Sequence, residues 1–359
     1  MTPLIKVLVV DDSALIRQIL TRALAMDPRV DVVGTARNGL EAIEKSKELR
    51  PDVITLDIEM PVLNGLEVLP FLMRDTDARV IMLSSVDDPA TTYEALAAGA
   101  VDFIPKPKSG FASSISDLTD VLLKQIMTAY RVPPEKRLGH SAGLVADLVG
   151  SGDVPPRRVM TRRNAGPVGT VVAIAASTGG PPALECVFSG LTADLPCAFV
   201  VVQHLPSGFT NSLVERLQRV TDVRVRVGDK HAVLEPGSAY VAPHGYHMTV
   251  TRNGSAARIK LEEGPSIHGV KPAADPLIES VARGFGSNSV GVLLTGMGSD
   301  GAEGLSTVAE SGGRTIVQDE LSSVVWGMPG AAVRNGAAQR VVPLGEVATE
   351  IRRAVRGGI

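Results

Sequence analysis

Short apolar runs and stretches of helical period alternate along the first part of the chain. IKVLVV is followed by ALIRQILTRALA, VDVVGTA by GLEAIEKSKEL, DVITLD by GLEVLPFLMRD, RVIMLS by TTYEALAAG, and VDFIPK by ISDLTDVLLKQIMTAY. Such β/α alternation predicts a doubly wound parallel sheet with right-handed crossovers, forming a first α/β domain over residues 1–131. Between residues 132 and 168 the period breaks into RVPPEKRLGHSAG, GSGDVPPRRV and TRRNAGPVG, and this Pro, Gly, Ser and Arg composition predicts a linker. Its Arg157, Arg158, Arg162 and Arg163 read as solvated linker charge rather than as a patch for an acidic partner.

The alternation resumes over residues 169–359 with TVVAIAAS, PPALECVFSGL, CAFVVVQH and FTNSLVERLQRV, and later PLIESVARGFG, SVGVLLTG, GAEGLSTVAESG and RTIVQD. In the middle, SAYVAP, HMTVTRN and ARIKLEE succeed one another with no helix between them. That predicts a three-layer α/β domain whose sheet is mostly parallel, with an antiparallel excursion beside it. A chain of 359 residues is long enough for two such cores.

Composition narrows the partners more than the fold. Hydrophobic residues make up 44% and aromatics only 3%, so the interiors should be built from Val, Leu, Ile and Ala. The 36 basic and 39 acidic residues leave a net charge of −3, which supplies no general field for nucleic acid or an anionic membrane. The opening MTPLIKVLVVDD has neither the long apolar core nor the cleavage site of a secretory signal, and no run is long enough to span a bilayer. The expectation is a cytoplasmic protein that is not membrane-inserted. Cys186 and Cys197 are the only cysteines, one in a helical pattern and one opening an apolar run, and are expected as buried free thiols.

Candidate chemistry gathers at strand ends. Asp11 and Asp12 follow the first predicted strand, Asp57 closes the third, Ser84 the fourth and Lys106 the fifth. Carboxyl ends of parallel strands share one edge of an open sheet, so residues far apart in sequence are brought to one place. Three crowded carboxylates repel, and a hard divalent cation such as Mg²⁺ is their natural neutraliser. Asp57 is then a candidate nucleophile toward phosphorus, with Lys106 pairing a phosphate oxygen and the Ser84 hydroxyl reading the new charge. Any one acid at a strand end can instead cap the next helix, a reading that five matching positions make difficult. VLVVDDS, ITLDIEMPVLNGLE, VIMLSS and DFIPKP resemble the signatures of two-component receiver domains. The resemblance implies phosphorylation of Asp57 by a histidine kinase, Mg²⁺ held by Asp11, Asp12 and Asp57, a switch hydroxyl on Ser84, Lys106 on the phosphate, and Phe103 at the aromatic switch position.

In the second half TVVAIAA delivers Ser177 onto a turn, Thr178-Gly179-Gly180, before a helix opened by Pro181 and Pro182. The pattern Ala175-x-Ser177-x-Gly179 approaches, without matching, the G-x-S-x-G elbow that lifts a nucleophilic hydroxyl clear of its strand, and a helix-capping serine is the alternative. The Thr178-Gly179-Gly180 turn, with two adjacent glycines and no lysine, forms no G-x-G-x-x-G or G-x-x-x-x-G-K-[ST] phosphate cradle, which argues against a nucleotide there. The neighbouring strand CAFVVVQH ends in His204, as a base or as a structural histidine. SVGVLLTGMGSDGAEGL places Asp300 at a helix start, as orienting carboxylate or as cap. If the three converge, His204 takes the Ser177 proton during attack on an ester carbonyl, Asp300 holds the imidazole, and the backbone N–H of Met297 in T-G-M-G can face the developing oxyanion.

AIAASTGGP, VVVQHLPSGFT, AYVAPHGYHM, VLLTGMGSDGAEGL and TIVQDELSSVVWGMPGAA resemble the catalytic domain of chemotaxis protein-glutamate methylesterases, whose architecture is a receiver joined to that domain. The resemblance implies a serine esterase, controlled by phosphorylation, that acts on methylated chemoreceptors in adaptation and returns glutamate and methanol. It also implies deamidation of particular receptor glutamines, with Ser177 as nucleophile, His204 as base, Asp300 as orienter and the Met297 amide as oxyanion donor; no cofactor is expected for the esterase reaction. VKPAADPL departs from the family's usual R-P-S-V-D-x-L at Lys271, Ala273 and Ala274, which bears on the substrate groove, and His247 matches a family histidine that is either structural or on the substrate side. Two other readings are open to test. A DNA-binding regulator is disfavoured by the absence of a helix-turn-helix pair or basic face. A non-catalytic adaptor gated by phosphorylation is the rival, since a retained fold does not guarantee chemistry. On the esterase reading, the unphosphorylated receiver is expected to cover the Ser177 edge, and phosphorylation of Asp57 to loosen that contact.

Overall fold

The computed structural model describes residues 4–84, 89–106, 115–133 and 166–357, and the chain divides into two units, Met1–Ala142 and Gly143–Ile359. Most of the predicted linker, with Arg157, Arg158, Arg162 and Arg163, lies outside the described residues.

In the first unit, β1 (Ile5–Val10), β2 (Val30–Ala36), β3 (Val53–Asp57), β4 (Arg79–Ser84) and β5 (Asp102–Pro105) alternate with α1 (Ala14–Leu24), α2 (Gly39–Leu49), α3 (Gly65–Asp75), α4 (Pro89–Ala97) and α5 (Ile115–Tyr130). The sheet order is β2-β1-β3-β4-β5 and every pairing is parallel. Val7, Val9, Val53 and Ile54 are fully buried, as strands must be when helices cover both faces. The strand order reverses between β1 and β3, and the crevice at such a reversal is where an open sheet presents its ligand site. Asp11, Asp12 and Asp57 stand there. The N-terminus of α3 comes close to the same place: a Cβ on Gly65 would lie 2.9 Å from the Asp57 carbonyl carbon, so this approach requires glycine.

The second unit runs β6 (Thr170–Ala176), α6 (Gly180–Ser189), β7 (Cys197–Gln203), α7 (Thr210–Val220), β8 (Arg224–Val227), β9 (Ser238–Val241), β10 (His247–Asn253), β11 (Ala256–Glu262), α8 (Ala274–Phe285), β12 (Ser289–Leu293), α9 (Ala302–Glu310), β13 (Arg314–Gln318), α10 (Met328–Arg334), β14 (Arg340–Val342) and α11 (Leu344–Val355). Seven strands form one parallel sheet in the order β14-β13-β12-β6-β7-β9-β8. The β6–β7 register pairs Val171 with Ala198, Ala173 with Val200 and Ala175 with Val202. That face packs on Leu277, Ile278 and Val281 of α8, on Leu305 and Val308 of α9, and on Met248 and Ile259 of the β10–β11 pair. On β7, Phe199 meets Phe188 of α6 at a centroid distance of 6.0 Å and 58°, within the tilted range aromatic pairs prefer.

The excursion is smaller than the sequence predicts. Among the strands of the described residues, β10 and β11 alone pair antiparallel, as a separate two-stranded sheet, whereas SAYV of the expected excursion becomes β9, parallel to β7 and inside the main sheet. The chain can make this parallel step because β8, an edge strand outside the apolar alternation, pairs with β9 in parallel and completes the crossover. In β8 only Val225 is buried, and Arg224 and Arg226 put charge along the sheet edge, which blocks further pairing.

Cys186 and Cys197 are buried free thiols, and burial pushes the Cys197 thiol up to about 12. No helix among the described residues is long and apolar enough to cross a membrane.

Candidate active site

Ser177 follows the last residue of β6 and is fixed through its backbone. Its N–H donates to the Thr295 carbonyl at 3.0 Å, and its own carbonyl accepts the Gly180 N–H at 2.7 Å. Gly179 turns the chain with φ 74°, and a Cβ there would lie 2.7 Å from Val324 Cβ, so the turn is both left-handed and crowded. The N-cap of α6 is Gly179 and no side chain caps the helix. The capping reading of Ser177 is therefore not realised, and its hydroxyl makes no hydrogen bond among the described residues. Pro181 in the first helical turn has no N–H to leave unsatisfied.

His204 follows β7 at the adjacent position of the same sheet edge. Its N–H donates to Ala176 O at 3.1 Å, which carries the β6–β7 pairing one step past its last registered pair, Ala176 with Gln203. His204 Nε2 lies 2.8 Å from Asp300 Oδ2, and the His204 side chain is 11% exposed. An ionised carboxylate can only accept, so Nε2 is the donor in this bond.

Asp300 does not cap its own helix: the N-cap of α9 is Gly301, again without a side-chain bond. Its carboxylate instead accepts from the first turn of α8, Oδ2 from Ala274 N at 2.7 Å and Oδ1 from Asp275 N at 3.0 Å. Burial alone would raise its pKa, but His204 and the two helix N–H groups overcome that and hold the carboxyl below the ordinary carboxylate value. A buried acid that stays ionised against an imidazole suits the orienting role in a hydrolytic triad. The turn carrying Met297 closes over the same edge. A Cβ on Gly296 would lie 2.8 Å from Ser177 Cβ, and Gly298 has φ 88°, so the glycines flanking Met297 bring this backbone against the serine.

Comparison with known proteins shows the family. A CheB methylesterase family model matches residues 172–351 and a response regulator receiver domain model matches residues 7–111. A protein-glutamate methylesterase/protein-glutamine glutaminase of Pyrococcus horikoshii is 42% identical over 359 residues, covering 99% of this chain and 95% of the relative. The chain belongs to the CheB methylesterase family. A protein-glutamate methylesterase/protein-glutamine glutaminase 1 of Xanthomonas campestris is 43% identical over 349 residues, 97% of this chain and 96% of that one. The crystal structure of the Thermotoga maritima CheB methylesterase catalytic domain superposes with a TM-score of 0.51 at 34% identity, covering 52% of this chain and 98% of that one.

In the receiver domain the three predicted carboxylates and Lys106 come together. Asp11 and Asp57 are buried, Asp12 is exposed, and one oxygen of each lies within 4.8 Å of the others. Lys106 Nζ stands 2.6 Å from Asp57 Oδ2 and 3.2 Å from Asp11 Oδ2. Burial pushes the Asp57 carboxyl up to about 6; Lys106 opposes the shift and Asp11 adds to it. Asp11 is likewise raised, first by burial. A receiver domain implies Mg²⁺ binding in general, and three clustered oxygen donors fit a hard cation. Ser84 is buried with its hydroxyl against that of Thr92 in α4, and Phe103 is buried at 5% exposure.

The departures from the family pattern lie close to Asp300. Ala273 N donates to His247 Nδ1 at 3.2 Å and Ala274 N to Asp300, so both alanines act through backbone that any side chain would supply. Lys271 Nζ donates to Gly264 O at 2.9 Å. His247 Nε2 lies 3.0 Å from Pro265 O, and with both ring nitrogens engaged by main chain His247 is a structural brace. Three groups escape the sequence reading: the Ala274 and Asp275 N–H groups, Thr295 beneath Ser177, and Gln203. The first act through backbone and leave no residue-type signal, while Thr295 holds the Ser177 N–H through its carbonyl and the Thr178 carbonyl through its hydroxyl, at 2.9 Å. Gln203 does leave one, a polar side chain at the end of an otherwise apolar strand.

Proposed function

We propose that this chain is a serine esterase under receiver control that hydrolyses glutamate methyl esters on chemoreceptors and deamidates particular receptor glutamines. The carrying observation is the His204–Asp300 pair at the sheet edge beside a serine that caps nothing. Ser177 Oγ attacks the ester carbonyl while His204 Nδ1 takes its proton, and the Asp300 carboxylate steadies the imidazolium that results. The backbone N–H of Met297 faces the oxyanion. The tetrahedral carbon then expels methoxide, which His204 protonates to methanol, leaving an acyl-Ser177 ester. Water, deprotonated by the same imidazole, attacks that ester and returns glutamate and free Ser177. A receptor glutamine follows the same path with ammonia as the leaving group.

In the receiver, Asp57 accepts the phosphoryl group of a histidine kinase, its carboxylate oxygen replacing the imidazole nitrogen on phosphorus. Asp11, Asp12 and Asp57 hold Mg²⁺, which when bound offsets the charge of the carboxylates and of the incoming phosphoryl group. Lys106 pairs a phosphate oxygen, and Ser84 and Phe103 serve the switch. Phosphorylation raises esterase turnover by relieving restraint from the receiver, and the protein works in the cytoplasm on the receptors' cytoplasmic regions. No observation favours the non-catalytic adaptor. Mass spectrometry of methylated receptor fragments after incubation tests the reading. The expected result is loss of glutamate methyl ester with the wild type, faster with acyl phosphate and Mg²⁺ present, and ester retained with Ser177→Ala. Ester loss at the wild-type rate with Ser177→Ala would overturn it.

A further inference from the structure

We propose that Gln203 is a positioning residue for the esterase reaction, a side-chain clamp that ties the nucleophile's main chain to that of the base. The registered β6–β7 pairing ends at Ala176 with Gln203, and the last backbone link between the two strands is His204 N–H to Ala176 O, so nothing in the ladder ties the Ser177 carbonyl to that of His204. The Gln203 side-chain amide spans that gap: Nε2 donates to Ser177 O at 2.9 Å and to His204 O at 3.1 Å. Two carbonyls on one side demand donors, which fixes the amide's orientation.

The other end of the same side chain makes no sense as a stabilising device. Gln203 is 3% exposed and its Oε1 has no hydrogen-bond partner among the described residues. A buried acceptor left unpaired is a cost that offsets what the two donated bonds contribute, on a strand whose preceding Val200, Val201 and Val202 are apolar. The fold also keeps room for the amide. A Cβ on Gly180 would fall on Gln203 Oε1 and lie 2.8 Å from Gln203 Cδ, so the helix after Ser177 begins with the residue that leaves the amide in place. The amide thus links the two residues whose side chains must meet for proton transfer, and reaction geometry is sensitive to displacements on the scale such a link would prevent.

The clamp rests on the Ser177, His204, Asp300 reading, and the test separates the two. Gln203→Met keeps length and removes both donors, and Gln203→Glu keeps shape while setting an acceptor against two carbonyls. Turnover of a methylated receptor fragment is measured in the full chain, with active sites counted by fluorophosphonate labelling and melting temperature recorded. Gln203→Met is expected to lower kcat by about 10- to 100-fold with KM within about twofold, whichever way the melting temperature moves. Gln203→Glu is expected to lose at least as much kcat. A lowered melting temperature with wild-type kcat per labelled site would make Gln203 a plain structural residue and overturn the clamp alone. Wild-type turnover by Ser177→Ala, run beside them, would overturn the triad and the clamp together.

Discussion

Asp57 and Asp300 are both aspartates at carboxyl ends of parallel strands, both nearly inaccessible, and their electrostatics are opposite. Asp57 is pushed up to about 6, while Asp300 is held below its ordinary value. Burial is the largest contribution in each case and has the same sign, so the difference lies in what surrounds the carboxylate. Asp300 takes two N–H groups from the first turn of α8 and a third from His204, with the helix dipole aligned to favour its charge. Asp57 takes one backbone N–H, from Glu59, and although Lys106 pairs with it, Asp11 repels it. One site is complete in itself and holds a negative charge ready for an imidazolium. The other is a surplus of negative charge that a cation or a phosphoryl group with its counter-ion would relieve.

The comparison breaks first at Asp300. Asp300→Asn keeps the shape and removes the charge that steadies imidazolium, and kcat for methyl ester hydrolysis is expected to fall by about 10³- to 10⁴-fold with little change in KM. Steady-state methanol release reads this, and a loss under tenfold would contradict the orienting role. A finer cut spares the carboxylate and removes one of its donors. Ala273 is extended at φ −106°, ψ 151°, so proline can follow it, and Ala274→Pro at the first helical position removes the N–H and sets the ring Cδ against the Asp300 carboxylate, which must shift. The expectation is a drop in kcat of about 3- to 10-fold with a folded protein, read by the same assay.

The smallest effect sharpens the other side. An acid whose folded pKa lies above its unfolded one binds its proton more tightly when folded, so its ionisation destabilises the fold as pH rises through the folded value. Asp57→Asn is therefore expected to stabilise the metal-free receiver by about 1–2 kcal/mol at pH 7.5. The gain should shrink as pH falls through about 6, the value to which the Asp57 carboxyl is raised. Hydrogen exchange of the β1 and β3 amides in chelator measures it. No gain at pH 7.5 would mean that Lys106 already compensates the buried charge.

Much of this was legible because both domains are parallel sheets buried on both faces. Continuous apolar runs mark such strands, and the polar residue that ends each run falls on the functional edge, which is how Asp57, Ser84 and His204 stand out. The pattern fails where burial is partial. β8 reads Arg-Val-Arg-Val because it is a charged edge, and without it Ser238–Val241 looks like the start of an antiparallel meander. Within the site, sequence reads Asp300 as an orienting carboxylate or as the cap of the helix that follows it, and the fold shows that the helix it holds is α8, through the Ala274 and Asp275 N–H groups. Such contacts depend on tertiary placement and use backbone atoms, so residue type carries no trace of them.

The central claim is that Ser177 is a nucleophile activated by His204, and a covalent trap tests it most directly. The full chain is treated with a fluorophosphonate and the adduct mapped by mass spectrometry. A single adduct on Ser177, absent in His204→Gln and slowed in Asp300→Asn, is the predicted result. An adduct elsewhere, or none on Ser177 while methyl esters are still hydrolysed, would contradict the account.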